Sequence, residues 1–458
     1  MTDAPSVDRM SDTDALAWAI EHDPRLRSPI SAIVILDGPV DHTRLRHVLE
    51  RASRVVPRMR HRVIPDPTGL APPTWEVDPD FTLAFHVRLT NIYDGTERDL
   101  LELAEPIVLQ AFDRARPQWE FTIVDGLRGD RSALIMKAHH AISDGVGAVN
   151  MMLEVFDLQP ELTRGRENLP PAPEPDPAPT ESRLRAAVDH EAQELVNSVR
   201  RSLETAVGAV ADPVGALQSV SETITSASRI LRPAAEPLSP IMTGRSLSVG
   251  FADHTVPLAG LRDAGRRIGG SINDAFVAAV LLGVGGYHRQ HGHDIDRIRM
   301  AIPINTRAPD DDSVGNNWTP SRAEMPLDVL DPDELMRRVR GTVARLRTEP
   351  AYGILAAMTG TLRRLPASVI AAVFATMSGG VDVAASNVPG SPVPVYLAGR
   401  RVEKLIPLGP LSGAGSNITL ISLADRAHIG IVRDPAAVPD GESFAEHLRD
   451  GFERVTAG

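Results

Sequence analysis

Apolar positions along the first 160 residues switch between a strand spacing and a helix spacing. The run AIVILDG, Ala32 to Gly38, is β-branched and ends at a turn signal, which predicts a strand. DHTRLRHVLERASRVV follows, with Asp41 in capping position and Leu45, Val48, Leu49 and Val55 on one helical face. FHVRL, QWEFTIVDGL and SALIMKAHHAI predict further strands. ERDLLELAEPIVLQAF between them predicts a helix that Pro106 kinks or splits. The alternation describes a mixed α/β lobe.

RENLPPAPEPDPAPTES, Arg166 to Ser182, is too rich in proline for helix or sheet and reads as an extended linker. Beyond it, Leu184, Val188, Leu195, Val199, Leu203, Val207 and Val210 recur near the helical period until Asp212-Pro213 breaks the pattern. A weaker amphipathic segment continues to Leu231. Two readings stand for residues 184–231: helices packed on the body, or a contact with a lipid surface. The alternation then resumes. SLSVGFADHTV and RIRMAIPINTR predict strands, and helices are expected over Pro257 to Ile268, Ser271 to His291, Asp331 to Arg347 and Leu355 to Met377. VDVAASNVPG, VYLAGRRVEKLIPL, SNITLISLAD and AHIGIVRD predict strands before a closing helix from about Gly441. The chain thus divides into an N-terminal lobe (1–160), a linker with amphipathic helices (161–240) and a C-terminal lobe (241–458).

Composition narrows the chemistry. A chain of 458 residues exceeds what one core usually serves, and a net charge of −12 argues against a nucleic-acid partner. With no cysteine there is no disulfide, thiolate nucleophile or cysteine metal site. Only Lys137 and Lys404 are lysines, a bias that points to no site. MTDAPSVDRMSDTDALAWAIEHD at the start is acidic where a signal peptide would be basic, so export is not expected. AFVAAVLLGVGG and ASVIAAVFATM fall short of the ~20 residues of a spanning helix. Both are expected to be buried helices.

The stretch LIMKAHHAISDGVGAVNMM, Leu134 to Met152, carries the candidate chemistry. A strand runs into His139 and His140, and Asp144 and Gly145 follow before a helical pattern. The neutral imidazole of His140 can remove a proton near pH 7. At its spacing Asp144 is expected to hold the turn through an arginine, and Gly145 lets the backbone turn into the helix. Two other readings fit the residues alone: a metal site, although no third ligand lies nearby in sequence, and a core histidine followed by a capping aspartate. No GxSxG and no GxxxxGK[ST] occurs, which leaves serine-hydrolase and P-loop chemistry without support.

HHAISDG resembles the HHxxxDG motif of the bacterial wax ester synthase/diacylglycerol acyltransferases, relatives of chloramphenicol acetyltransferase, the carnitine acyltransferases and the condensation domains of peptide synthetases. The likeness continues through RPQWEFTIVDGLRGDRSALIMKAHHAISDG, GGSINDAFVAAVLLGVGGY, MAIPINTR, VGNNW and SNVPGSPVPVYLAGRRVEKLIPLGPL, in the family's order. Departures are Gln118 for a leucine, Ser391 for a proline, Leu423 for a common tyrosine, and an N-terminus that keeps Asp14 and little else of LSPLDAxFL.

The resemblance implies an α/β fold of two chloramphenicol acetyltransferase-like lobes, each a mixed sheet flanked by helices, with the active-site tunnel between them. It implies His140 as base, with His139 supporting the strand end. Asn273 would be a donor to the substrate or oxyanion, though a plain helix cap fits it too, and Asp274 a helix-start group. Arg307 is the expected partner of Asp144, and Asn387 and Gly390 would shape the crossover segment or a plain turn. The expected reaction moves a long-chain acyl group from acyl-CoA, as co-substrate, to diacylglycerol or a long-chain alcohol, without cofactor or metal. A cytoplasmic protein attached peripherally to the inner face of the membrane or to lipid bodies follows from such substrates. Two other functions remain: a condensation-type acyltransferase fed by a carrier protein, and an idle lipid or acyl-CoA binding protein.

Overall fold

The computed structural model describes residues 8–66, 71–142, 151–161, 166–175, 236–305, 318–347 and 365–457, with positions 188, 192, 193 and 196. The apolar stripe from Leu184 to Leu231 therefore lies almost wholly outside the described residues, as do Asp144, Gly145 and Arg307.

The first lobe is built on helix α1 (Asp12–Ile20), strand β1 (Pro29–Leu36), helix α2 (His42–Val55), the short pair β2 (His61–Ile64) and β3 (Thr74–Val77), and a helical turn α3 (Leu83–His86). Strand β4 (Val87–Gly95), helix α4 (Glu97–Leu109), β5 (Trp119–Leu127) and β6 (Arg131–His139) complete it. Asp41 caps α2 by accepting from the N–H of Thr43 and Arg44 at 2.9 and 3.0 Å, and Leu45, Val48 and Leu49 are buried. Val55, the last residue of that helix, is instead exposed, because the chain turns away from the sheet there. Helix α4 runs unbroken through Pro106, contrary to a split. The proline sits in the last turn on the exposed side, where the missing N–H leaves one solvent-facing carbonyl short of a partner. FHVRL becomes a strand only from Val87, since Phe85 and His86 close a helical turn.

The second lobe comprises β7 (Gly250–Pro257), α5 (Leu258–Arg267), α6 (Ile272–Gln290), β8 (Arg297–Asn305), β9 (Trp318–Pro326), α7 (Pro332–Arg347), α8 (Ala367–Ser378), β10 (Val383–Ser391), β13 (Ser416–Leu423), β14 (Arg426–Arg433) and α9 (Gly441–Thr456). Between β10 and β13 the chain forms the hairpin β11 (Tyr396–Leu397) and β12 (Arg400–Leu408). Its two-residue turn, Ala398-Gly399, takes φ of 48° and 86°, the mirror-image geometry that suits strand twist.

That hairpin belongs to the other sheet. The first sheet has the order β11-β12-β1-β6-β5-β4 and the second β7-β14-β13-β10-β8-β9. Strand β12 lies antiparallel on β1, pairing Ile33 with Ile406. The first sheet thus takes two strands from the C-terminal half, and the lobes are tied covalently on both sides of the crossover. Ile33 and Ile35 of β1 pack with Ile406, Leu408 and Val432 across this seam, while Val34 and Leu36 face the core of the first lobe. Both faces of β1 are covered, which is why its sequence is uninterruptedly apolar.

The two halves share a pairing pattern. In the first, β1/β6 and β6/β5 are antiparallel and β5/β4 parallel. In the second, β7/β14 and β14/β13 are antiparallel and β13/β10 parallel. Strand β6, which ends at His139, corresponds to β14, which ends at Arg433.

AFVAAVLLGVGG forms the middle of α6, buried on almost every side among α5, α7, α9 and the sheet. At its crossing with α9 a Cβ on Gly283 would stand 2.6 Å from the Cα of Leu448, so the backbones meet directly. ASVIAAVFATM behaves otherwise. Among the described residues of α8 only Ile370 and Ala371 are buried, and Val369 and Val373 are each 43% exposed. The expectation of a buried helix fails here because α8 packs against α1 along one narrow strip. Strand β9 was not expected: WTPSRAEMP carries two prolines and two charges, a composition tolerated at the sheet edge it occupies.

Candidate active site

The site begins with the end of β6. Alternation puts Lys137 and His139 on the face of Ala133 and Ile135, against α4. Lys137 is fully buried; its ammonium donates to the carbonyls of Ile107 and Gln110 at 2.9 and 2.7 Å, at the end of α4, and lies 3.6 Å from Glu120. The strand closes with the N–H of His139 donating to the Gln118 carbonyl at 2.8 Å. His140 then opens a single 3-10 turn, His140–Ile142.

His139 is 1% exposed, and its Nδ1 accepts the N–H of Ala141 at 3.0 Å. In the neutral ring the proton must therefore be on Nε2, which lies 3.1 Å from Oε1 of Glu21. The approach is bent, so this is a close charge contact more than an aligned hydrogen bond. The rings of Trp18 and Phe112 flank His139 with centroids at 5.1 and 6.4 Å. His139 is a fixed internal support.

His140 is the partly exposed member of the pair. Burial pushes its pKa down to about 4, the neighbouring His139 adds to the depression, and Glu21 opposes it. The imidazole is neutral at pH 7, as a proton acceptor must be. Its conjugate acid is a strong proton donor.

Glu21 and Trp18 were not singled out in the sequence, since nothing in their spacing connects them to a histidine 118 residues on. The helix that carries them is capped through Asp14, whose carboxylate accepts the Ser11 hydroxyl at 2.6 Å and whose N–H returns to it at 3.1 Å. Asp14 thus acts on the site through α1.

The other expected residues lie in the second lobe. Ser271 is the N-cap of α6, and Asp274 closes its capping box by accepting from the Ser271 N–H and hydroxyl at 2.8 and 2.9 Å. Asn273 is hence the second helical residue and not the cap. It is half-buried, and its side chain makes no hydrogen bond among the described residues. Asn387 is exposed on β10, opposite Leu420 of β13. The Gly390 N–H donates to Ser422 Oγ at 3.2 Å, and a Cβ there would collide with the Ser422 carbonyl. Glycine is required at that point by close approach. Asp144, Gly145 and Arg307 lie outside the described residues.

Two departures from the family pattern have local explanations. Gln118, 1% exposed, satisfies its amide by donating to the carbonyls of Asp113 and Arg116 at 2.7 and 2.5 Å. Leu423 is buried in the core of the first lobe.

The profile of the wax ester synthase/diacylglycerol acyltransferase catalytic domain matches residues 10–276, and that of the family's C-terminal domain matches 314–456. The chain belongs to this family. Within it, a Mycobacterium tuberculosis protein named as a diacylglycerol O-acyltransferase is 35% identical over 455 residues, covering 98% of this chain and 92% of its own length. Another from that organism, similarly named, is 28% identical over 439 residues, covering 93% and 91%. The wax ester synthase/diacylglycerol acyltransferase from Marinobacter aquaeolei has the same fold, with a TM-score of 0.62 at 18% identity and 98% of each chain covered. The first condensation domain of the CDA synthetase follows with a TM-score of 0.58 at 15% identity, covering 99% and 97%. The two-lobed chloramphenicol acetyltransferase-like architecture is thus that of this wax ester synthase/diacylglycerol acyltransferase family member, and the protein is an acyltransferase.

Proposed function

We propose that this family member transfers a long-chain acyl group from acyl-CoA to diacylglycerol, to a long-chain alcohol, or to both, with His140 as the general base. The observation that carries the reading is the neutral, partly exposed imidazole of His140 at the end of β6, beside a His139 ring that is hydrogen-bonded at Nδ1 and close to the Glu21 carboxylate at Nε2. His140 takes the proton from the acceptor hydroxyl as its oxygen bonds to the thioester carbonyl carbon. The tetrahedral oxyanion is met by N–H donors, for which backbone amides and the side-chain amide of Asn273 are the candidates. As the C–S bond breaks, the imidazolium returns its proton to the departing CoA thiolate, giving ester and free thiol. Its depressed pKa favours that second transfer. Asp144, paired with Arg307, holds the turn that follows the histidines. A tunnel between the lobes would admit CoA from one face and the acceptor from the other.

The acceptor is lipid-soluble, so we place the protein peripherally at the inner face of the membrane or on lipid bodies. No single helix among the described residues is long and apolar enough to cross a bilayer. Leu365, Val369 and Val373, spaced four apart at the start of and along α8, are exposed at 41%, 43% and 43% and support a contact with lipid.

Purified protein given labelled palmitoyl-CoA with a panel of diacylglycerols and alcohols, the products resolved by chromatography, tests the reading. Labelled triacylglycerol or wax ester is expected. Turnover only with an acyl carrier protein, or binding without turnover, would overturn it.

A further inference from the structure

Glu21 is a largely buried carboxylate with no arginine or lysine paired to it directly among the described residues. Its side chain is 12% exposed, at the C-terminal end of α1, where Oε1 accepts the Ser28 N–H at 3.1 Å and stands 3.1 Å from His139 Nε2. Among the described residues the nearby cation is Arg114, and it is otherwise engaged: its guanidinium lies 4.6 Å over the Trp18 ring. Burial pushes the Glu21 carboxyl up, yet His139, the Ser28 N–H and the charge of Arg114 together hold it below the usual range. It is an anion inside the protein, aimed at the ring that supports the proposed base.

We infer that Glu21 is a positioning residue for acyl transfer, holding the ring of His139 by its Nε2–H and supplying the negative charge against which His140 becomes an imidazolium. The inference rests on the reading of His140 as general base. The geometry has two consequences. With Nδ1 bonded to the Ala141 N–H and Nε2 in close contact with Glu21, the His139 ring links α1 to the turn that presents His140. Among the described residues, the anion that a proton arriving on His140 meets is Glu21. The other charged or titratable groups facing the pair from the described elements are Arg114 after α4, and Lys137 of β6, whose ammonium is turned away to the carbonyls of α4. Both are cations, so neither attracts the proton. Removing Glu21 leaves burial and His139 to oppose the charge on His140.

Glu21→Gln keeps the shape and an oxygen for the Ser28 N–H but removes the charge. With a short, water-soluble acyl-CoA and alcohol, Glu21→Gln should lower kcat by about tenfold or more, since an opposite charge at this range is worth about one pKa unit or more. KM should stay within about twofold and the melting temperature near that of the wild type. Combined with His139→Gln, it should cost no more than the worse single substitution, because the two act as one unit. His140→Ala is assayed alongside. If His140→Ala is inactive while Glu21→Gln keeps kcat, or the losses at Glu21 and His139 are additive, or the loss follows the melting temperature, the role given to Glu21 is wrong and the base stands. If His140→Ala retains wild-type kcat, the reading of His140 fails and the role of Glu21 with it.

Discussion

Lys137 donates to the carbonyl of Gln110 at 2.7 Å, fastening the strand that ends in the histidine pair to the C-terminal end of α4. A buried ammonium is costly on its own, and here the helix-end carbonyls of Ile107 and Gln110, the Glu120 carboxylate and the Phe112 ring offset that cost. Lys137→Met fills the space and leaves two carbonyls without a donor. Urea denaturation should show a loss of about 1–3 kcal/mol. Unchanged stability would mean that water reaches those carbonyls.

Asn273 and Asp274, adjacent in the chain, should separate cleanly. Asp274 closes the capping box of α6, so Asp274→Ala should cost about 1 kcal/mol of stability. Asn273→Ala removes an amide that holds nothing among the described residues, and it should leave the melting temperature unchanged while lowering kcat. Thermal melts and kinetics on both variants check this; loss of stability at Asn273 would place it in the fold and not in the reaction.

Acid should unfold the protein partly through its histidines. Burial pushes His86, His140 and His428 down to about 4. The unfolded chain takes these protons near pH ~6.5 and the folded chain does not until about 4, so stability is full above that range and is lost as pH falls through it. Asp382, pushed up by burial, works in the opposite sense. The melting temperature should decline from pH 6.5 to 4.5, and His428→Asn, which can keep a bond to the Thr255 hydroxyl, should flatten that decline. An identical slope in the variant would contradict it.

The exposed face of α8 offers a test of lipid attachment that does not involve the core. Val369→Glu with Val373→Glu should reduce flotation with phospholipid vesicles and leave turnover of a short, soluble acyl-CoA near the wild-type rate. Flotation unchanged by the pair would move the contact elsewhere, the segment 184–231 being the next place to look.

The sequence was readable where one local pattern decided the outcome. β6 and α6 followed from their apolar runs and α2 from its Asp41 cap. VYLAGRRVEKLIPL was expected as a strand, but neither its turn at Ala398-Gly399 nor its sheet: pairing Ile406 with Ile33 spans most of the chain, and no local periodicity encodes a partner that distant. Helix α8 has the composition of a core helix, and its exposure depends on what packs against it. His140 stood out through its motif. Glu21 did not, since its value comes from a 3.1 Å approach to His139 that only the folded chain creates.

The central claim is that His140 is the base, and the kinetics of His140→Ala address it most directly. With labelled palmitoyl-CoA and the best acceptor, kcat should fall by roughly 10² to 10⁴, with the melting temperature at or above that of the wild type, while His139→Ala should show a smaller kinetic loss and a lower melting temperature. Retention of wild-type kcat by His140→Ala, or equal kinetic losses at the two histidines, would contradict the account.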